Sequence, residues 1–377
     1  MRVLEVYKDI SPWVRGGIER YVSELGRFLR DAGHDVCFLV ARRRPGLRPG
    51  RTELEGMQVF EAPTLFRALS NPFCPGFGAM MLARRPDVVH VHLPLPTAVI
   101  SSLVWGGALP TVVTYHSDIV RQRFVMPLYR PFLLRFLRRA RAVLATSPTY
   151  VETSKVLSRL ANVEPIPIGV DTGKWHPPET RDERDHVSLT RRRLGEEDYF
   201  LFVGRFRSYK GIDVLLDAWR ALGDKRLVMV GNGPLREHVM KRTETEGLRV
   251  TIELDVEDAE LAALYRGARA LILPSTERSE AYGMVILEAM ASGVPVVSSD
   301  LETGVSWLNE HEATGLVFRR GDPSALAEAV RRMMGEERDV YAANALSKAR
   351  GGFSQSVLFD RVMRVLERSA GVARPSG

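Results

Sequence analysis

At 377 residues, 45% hydrophobic and 26% charged, the chain suits a soluble globular protein of two domains, with no apolar run of the roughly 18 residues a membrane span needs. Two cysteines, Cys37 and Cys74, form neither a disulfide framework nor a metal spacing, and the strand pattern Val3-Leu4-Glu5-Val6-Tyr7 leaves no room for a signal peptide, which points to the cytoplasm. The net charge of +7 is uneven: residues 1–170 carry 23 Lys and Arg against 13 Asp and Glu, the rest 30 against 33, so the first half suits an anionic partner such as nucleic acid, lipid head groups or a phosphorylated acceptor.

Residues 1–40 read as strand, glycine loop, helix, strand. The helix runs from Glu19 to Ala32, with Tyr21, Val22, Leu25, Phe28 and Leu29 at helical spacing, and Gly33 stops it. Before it, Gly16 and Gly17 free backbone amides at the helix start. The dinucleotide fingerprint Gly-x-Gly-x-x-Gly is absent here and at Gly231-Asn232-Gly233, which argues against a nicotinamide enzyme. Residues 41–51, with Arg42, Arg43, Arg44, Arg48 and Arg51, read as a basic loop.

Asp87 to His92 is a buried strand closed by His90 and His92; spaced i, i+2 on one face they could bind metal, but with no third ligand beside them a structural role is favoured. Leu109 to Tyr115 is the next strand, ending in His116-Ser117-Asp118. From Ile119 to Arg141 apolar residues alternate with Arg121, Arg123, Arg130, Arg135, Arg138, Arg139 and Arg141, and Pro127 and Pro131 break the helix early. Such a stretch suits either an anionic membrane surface or a core-facing helix with an arginine-rich exterior.

Charge and proline make residues 171–195 a linker. A second domain opens with strand Tyr199 to Val203 and the turn Gly204-Arg205-Phe206-Arg207-Ser208-Tyr209-Lys210-Gly211, whose two cations five apart suit two phosphates, Arg as a fork and Lys as a point charge. Further strand-to-loop exits fall at Gly231 and at Asp255-Val256-Glu257. The stretch Ser279 to Pro295 reads as loop, short helix and turn, and its carboxylates Glu280 and Glu288, eight positions apart around Gly283, can face a crevice at the carboxyl ends of parallel strands.

That stretch, Glu280, seven residues, Glu288, then Ala-Met-Ala-Ser-Gly-Val-Pro-Val-Val, resembles the signature of the retaining GT-B glycosyltransferases of family 4, and Gly204-Arg205-x-x-x-x-Lys210-Gly211 matches their diphosphate clamp. The resemblance covers nearly the whole chain. It implies an α/β fold of two Rossmann-like domains facing a cleft: an acceptor domain 1–170, the linker 171–195, a nucleotide-sugar domain 196–353, and a C-terminal helix within 354–377 that crosses back. By the same resemblance Glu280 approaches the donor sugar and Glu288 the ribose, while Arg205 and Lys210 clamp the diphosphate. Gly283 and Met284 then offer it amides at a helix start, Gly16, Gly17 and Gly231 approach the donor, and Val256 lies where the base is read. His116 stands beside the sugar-transfer centre, and domain closure would assemble the site.

The activity so implied is transfer of a sugar from a nucleoside diphosphate sugar with retention. No Asp-x-Asp motif is present, so no metal or other cofactor is expected and the cations replace it. Val-Tyr-Lys-Asp, Gly-Gly-Ile-Glu and Tyr115 to Val120 are similar to bacterial mannosyl- or rhamnosyltransferases that use GDP-sugars and build on polyprenyl-diphosphate-linked or saccharide acceptors, peripherally at the inner membrane face. The alternatives are a UDP-sugar donor, a nucleotide-sugar epimerase and, well below these, a nucleic-acid-binding protein, for which no helix-turn-helix, zinc or aromatic platform is seen.

Overall fold

The structure, a computed structural model, describes residues 1–14, 16–68, 71–105, 109–118, 126–195 and 198–372. Arg15, Ile119, Val120, Arg121 and Arg123 lie outside these residues, as does the expected start of the second domain at 196. The chain forms two compact units, Met1–Pro167 with Ser356–Gly377, and Ile168–Gln355.

In the first unit an eight-stranded sheet is built from β1 (Arg2–Val6), β2 (Asp35–Ala41), β3 (Gly50–Leu54), β4 (Met57–Ala62), β7 (Val88–Leu93), β8 (Thr111–Tyr115), β9 (Ala142–Ala145) and β10 (Val163–Pro165); β5 (Phe66–Ala68) and β6 (Asn71–Phe73) form a separate hairpin. The order is β10-β9-β8-β7-β1-β2-β4-β3, parallel except for β3 against β4. Runs such as Val-Val-His-Val-His-Leu in β7 are buried on both faces, the mark of a parallel sheet covered by helices. The helices are α1 (Gly17–Asp31), α2 (Phe77–Ala83), α3 (Pro96–Trp105), α4 (Met126–Arg139) and α5 (Pro148–Thr153). Residues 41–51 are only partly the expected loop: Ala41 ends β2 and Arg51 lies on β3, and the Arg42 guanidinium closes the turn by donating to the Arg48 carbonyl at 2.9 Å.

The expectation that Pro127 and Pro131 break α4 is overturned. Pro127 lies in the first turn, where its missing N–H needs no partner, and Pro131 costs a single bond inside a helix held by Tyr129, Leu133, Phe136 and Leu137 against the core. Its other face is exposed and mixes Leu128 and Phe132 with Arg135, Arg138 and Arg139.

The second unit holds a parallel six-stranded sheet, β11 (Tyr199–Val203), β12 (Arg226–Val230), β13 (Val250–Glu253), β14 (Ala270–Leu273), β15 (Val296–Ser299) and β16 (Gly315–Phe318), in the order β13-β12-β11-β14-β15-β16. Around it lie α6 (Arg181–Arg193), α7 (Ile212–Leu222), α8 (Arg236–Thr245), α9 (Asp258–Gly267), α10 (Met284–Ala291), α11 (Gly304–Leu308), α12 (Pro323–Arg332) and α13 (Glu337–Gly352). Phe200, Phe202, Phe206, Trp219, Ile272 and Leu326 centre its core.

Residues 171–195 are not a linker. From Ile168 the chain belongs to the second unit, and most of the charged stretch is α6, begun by a Thr180–Glu183 capping box. Its charges are engaged rather than solvated: Arg193 pairs with Glu253 and Glu260, His186 with Glu260, and Glu183 with Arg266. The C-terminal helix α14 (Gln355–Ala370) belongs from Ser356 to the first unit, where Phe359 packs on Tyr21 and Phe28 at ring-centre distances of 5.4 and 5.6 Å.

Candidate active site

In the second unit the strand order reverses between β11 and β14, the switch point at which open α/β sheets bind ligands beyond the strand carboxyl ends. The candidate residues of this unit lie on the strand exits there. The turn after β11 carries Arg205 and Lys210, and β12 exits through Gly231. That exit is cramped: Gly231 has φ 140°, and a Cβ on it would meet the carbonyl oxygen of Gly204. The two exits are tied by Phe206 N–H donating to the Asn232 carbonyl at 3.0 Å. Val256 follows β13, half-buried, beside Asp255 in the left-handed region.

Glu280 comes from the loop after β14. Its carboxylate forms an ion pair with Lys210 and accepts from the Ser275 hydroxyl at 3.0 Å, and its carbonyl accepts from Thr303 Oγ1 at 2.9 Å. Both side chains of the pair are about nine-tenths buried, being 9% and 10% exposed. Burial alone would lower the Lys210 pKa, but Glu280 outweighs it and raises the value, so the ammonium stays charged. Arg205 is exposed and makes no hydrogen bond or ion pair among the described residues. Gly283 (φ 80°) is the left-handed cap that turns the loop into α10, leaving the Met284 and Val285 amides without intrahelical acceptors, while the Ile286 N–H donates to the Gly283 carbonyl at 2.9 Å. Glu288, one turn on, is buried and accepts from the Tyr265 hydroxyl at 2.9 Å. One buried, paired ammonium, one exposed guanidinium free to engage a ligand, an amide-bearing helix start and two anchored carboxylates suit a diphosphate joined to hydroxylated rings.

In the first unit Gly16 caps α1 in extended conformation and Gly17 is its first residue. His116 follows β8 and is buried. The reading of His90 and His92 without a third partner is overturned, because Glu5 of β1 lies in register with His90 and on the same face. Its Oε2 is 2.6 Å from His92 Nε2 and 3.0 Å from His90 Nδ1. His90 Nε2 meets Thr114 Oγ1 at 2.7 Å, and His92 Nδ1 meets His116 Nε2 at 3.1 Å. Ligand atoms of Glu5, His90 and His92 lie within 4.8 Å of one another, but the hydrogen bonds joining them occupy the lone pairs an ion would take. The cluster is therefore read as a polar network. Sequence reasoning missed Glu5, whose signal was a lone carboxylate inside an apolar strand. It also missed Ser275 and Tyr265, which are ordinary residues until the fold sets them against Glu280 and Glu288.

Residues 15–174 match the family model described as Glycosyltransferase Family 4, and residues 190–349 the one described as Glycosyl transferases group 1. The chain is similar to the D-rhamnosyltransferase WbpZ of Pseudomonas aeruginosa, 36% identical over 88% of this chain and 86% of the relative. It is also similar to O-antigen chain mannosyltransferase C of Escherichia coli, 32% identical over 89% and 90% respectively. Among solved structures it resembles sucrose-phosphate synthase from Thermosynechococcus elongatus, with a TM-score of 0.81, 20% identity and 99% and 100% of the two chains covered. Anabaena HepE in complex with UDP gives 0.79, 20%, 98% and 100%. These structural likenesses speak for the fold alone. Family models spanning both units and relatives above 30% identity over most of the chain lead to one statement: this chain belongs to the family 4 glycosyltransferases and has the GT-B fold.

Proposed function

We propose that this glycosyltransferase moves a mannosyl or rhamnosyl residue from a GDP-sugar, with retention, onto a lipid-linked glycan or similar saccharide in surface polysaccharide synthesis. The observation that carries the reading is the buried Lys210–Glu280 pair beside the unengaged Arg205, at a switch point closed by the left-handed start of α10. The choice of sugar is supported by the rhamnosyl- and mannosyltransferase relatives.

In this reading the diphosphate lies between Arg205, Lys210 and the α10 amides, which stabilise the charge that develops as the bond from the sugar anomeric carbon to the phosphate oxygen breaks. The acceptor hydroxyl attacks on the face just vacated, and its proton passes to the departing phosphate oxygen, so configuration is retained. Glu280 orients the sugar and Glu288 the ribose, and His116 contacts a substrate hydroxyl. The cationic clamp does the work of a metal ion, so EDTA leaves turnover unchanged.

The test incubates the purified protein in EDTA with GDP-mannose, GDP-rhamnose or UDP-glucose and a lipid-linked or saccharide acceptor, and reads the anomeric configuration of the product by NMR. Retained product from a GDP-sugar supports the reading. Turnover confined to UDP-glucose moves the donor to the UDP alternative, and inverted product overturns the mechanism.

A further inference from the structure

In the buried network of the first unit every imidazole nitrogen but one has a partner among the described residues. Glu5, His90 and His92 have fully buried side chains, and the chain of contacts runs Glu5 Oε2 to His92 Nε2, then His92 Nδ1 to His116 Nε2. It ends at His116 Nδ1, which is buried and has no hydrogen-bond partner among the described residues.

A neutral imidazole has one N–H and one lone pair, and a carboxylate can only accept. The proton of His92 therefore stands on Nε2, facing Glu5, and its Nδ1 is a lone pair. Only an N–H can satisfy that lone pair, so His116 carries its proton on Nε2 and its Nδ1 is bare. The charge states agree with this assignment. Burial pushes His92 down to about 4, helped by His90 and opposed by Glu5, and pushes His116 well below its ordinary value. Burial would raise the Glu5 carboxyl, but His90 and His92 outweigh it and hold it at about 2. The other titratable groups facing these rings are His90, Tyr7 and Tyr21; the tyrosine rings stand edge-on to His92 at 6.2 and 5.9 Å, and Tyr21 to His116 at 5.3 Å. Burial raises both tyrosines, so they remain neutral.

We propose that Glu5, acting through His92, locks His116 in its Nε2–H tautomer and thereby presents Nδ1 at the carboxyl end of β8 as an acceptor for a hydroxyl of the sugar substrate. Glu5 and His92 are positioning residues, and the inference rests on the reading above that His116 contacts substrate. An unmet buried acceptor is costly, and a substrate hydroxyl relieves that cost by donating to Nδ1; an Nδ1–H would instead take a lone pair of the hydroxyl oxygen and reverse the bond, so the tautomer sets which way the hydroxyl proton points. In the catalytic triad of serine proteases, where a carboxylate sets a histidine tautomer, the wrong tautomer costs about 10⁴-fold in turnover.

The test labels histidine with ¹⁵N and reads tautomers in the free protein at pH 7 by long-range proton–nitrogen correlation. Wild-type His116 is expected with Nε2 protonated and Nδ1 bare. In Glu5→Gln, whose amide can donate as well as accept, the Nδ1–H form becomes populated and kcat falls on the order of 10²-fold, less than the roughly 10⁴-fold of that triad because the tautomer is only partly switched. Nucleotide affinity, read from the second unit, stays unchanged. Glu5→Asp keeps an acceptor-only carboxylate and retains the wild-type tautomer. A proton on Nδ1 of wild-type His116 overturns the proposal without need of any variant. An inactive His116→Ala beside a Glu5→Gln of unchanged tautomer and turnover overturns the relay alone, and wild-type turnover in His116→Ala overturns both the relay and the reading beneath it.

Discussion

Lys210 and Glu280 answer for each other in a place with little water, so removing one leaves the other as a buried, uncompensated charge. Lys210→Ala is expected to lower stability by about 3 kcal/mol and to abolish transfer. The double variant Lys210→Ala with Glu280→Gln recovers most of the stability and none of the activity. Urea unfolding beside turnover measurements checks this, and a double variant that regains transfer would remove the pair from the chemistry. The histidines of the first unit make a second prediction. His92 is held neutral down to about pH 4, whereas the unfolded chain takes up its proton near 6.5. The stability it contributes is full above pH 6.5 and is lost as pH falls towards 4, by about 3 kcal/mol, and His116 shifts in the same direction. Thermal unfolding across this range should show the loss in the wild type and a shallower slope in His92→Gln.

At the scale of elements, α10 shows how a short helix becomes part of a site. It is apolar almost all round and buried from Ile286 to Ala291, with only its first turn half-exposed, and Glu288 is the one carboxylate it carries. Its entry depends on Gly283, whose left-handed φ of 80° suits glycine and strains any residue with a Cβ. Gly283→Ala should cost about 1 kcal/mol in stability and weaken nucleoside diphosphate binding more than tenfold, because the first amides of α10 are re-aimed. Calorimetric titration with GDP and UDP reads this directly, and unchanged affinity would take the α10 amides out of the diphosphate site. The helix α6 makes a complementary point. Its charge density reads as solvated chain until Glu253, Glu260 and Arg266 supply partners from other elements.

At the scale of the whole molecule, the charge excess of residues 1–170 includes the outer face of α4, where arginines flank exposed Leu128 and Phe132. Among the described residues no helix is long and apolar enough to cross a membrane. Such a face suits the surface of an anionic bilayer, where basic residues attract the lipid head groups and apolar side chains seat between them. Cosedimentation with phosphatidylglycerol vesicles is expected at low salt. It should fall as ionic strength approaches 1 M, where the screening length is about 3 Å, and drop at every salt concentration in Leu128→Ser with Phe132→Ser. Equal retention on neutral phosphatidylcholine vesicles would show that charge plays no part.

The sequence by itself determined the parallel α/β class, through buried β-branched runs alternating with amphipathic helices. It also determined the cationic turn Gly204 to Gly211 and the Glu280–Glu288 stretch, because both are local: a few consecutive residues at the end of one strand carry the whole pattern. It misjudged Pro131, whose lost hydrogen bond is outweighed by packing of Leu133 and Phe136, and the stretch 171–195, whose charges are satisfied only from a distance. Glu5 was legible only as a carboxylate out of place. That Glu5, His92 and His116 form one chain was decided by the pairing of β1, β7 and β8, because residues 87 and 24 positions apart become neighbours only when the sheet register brings their side chains to the same face.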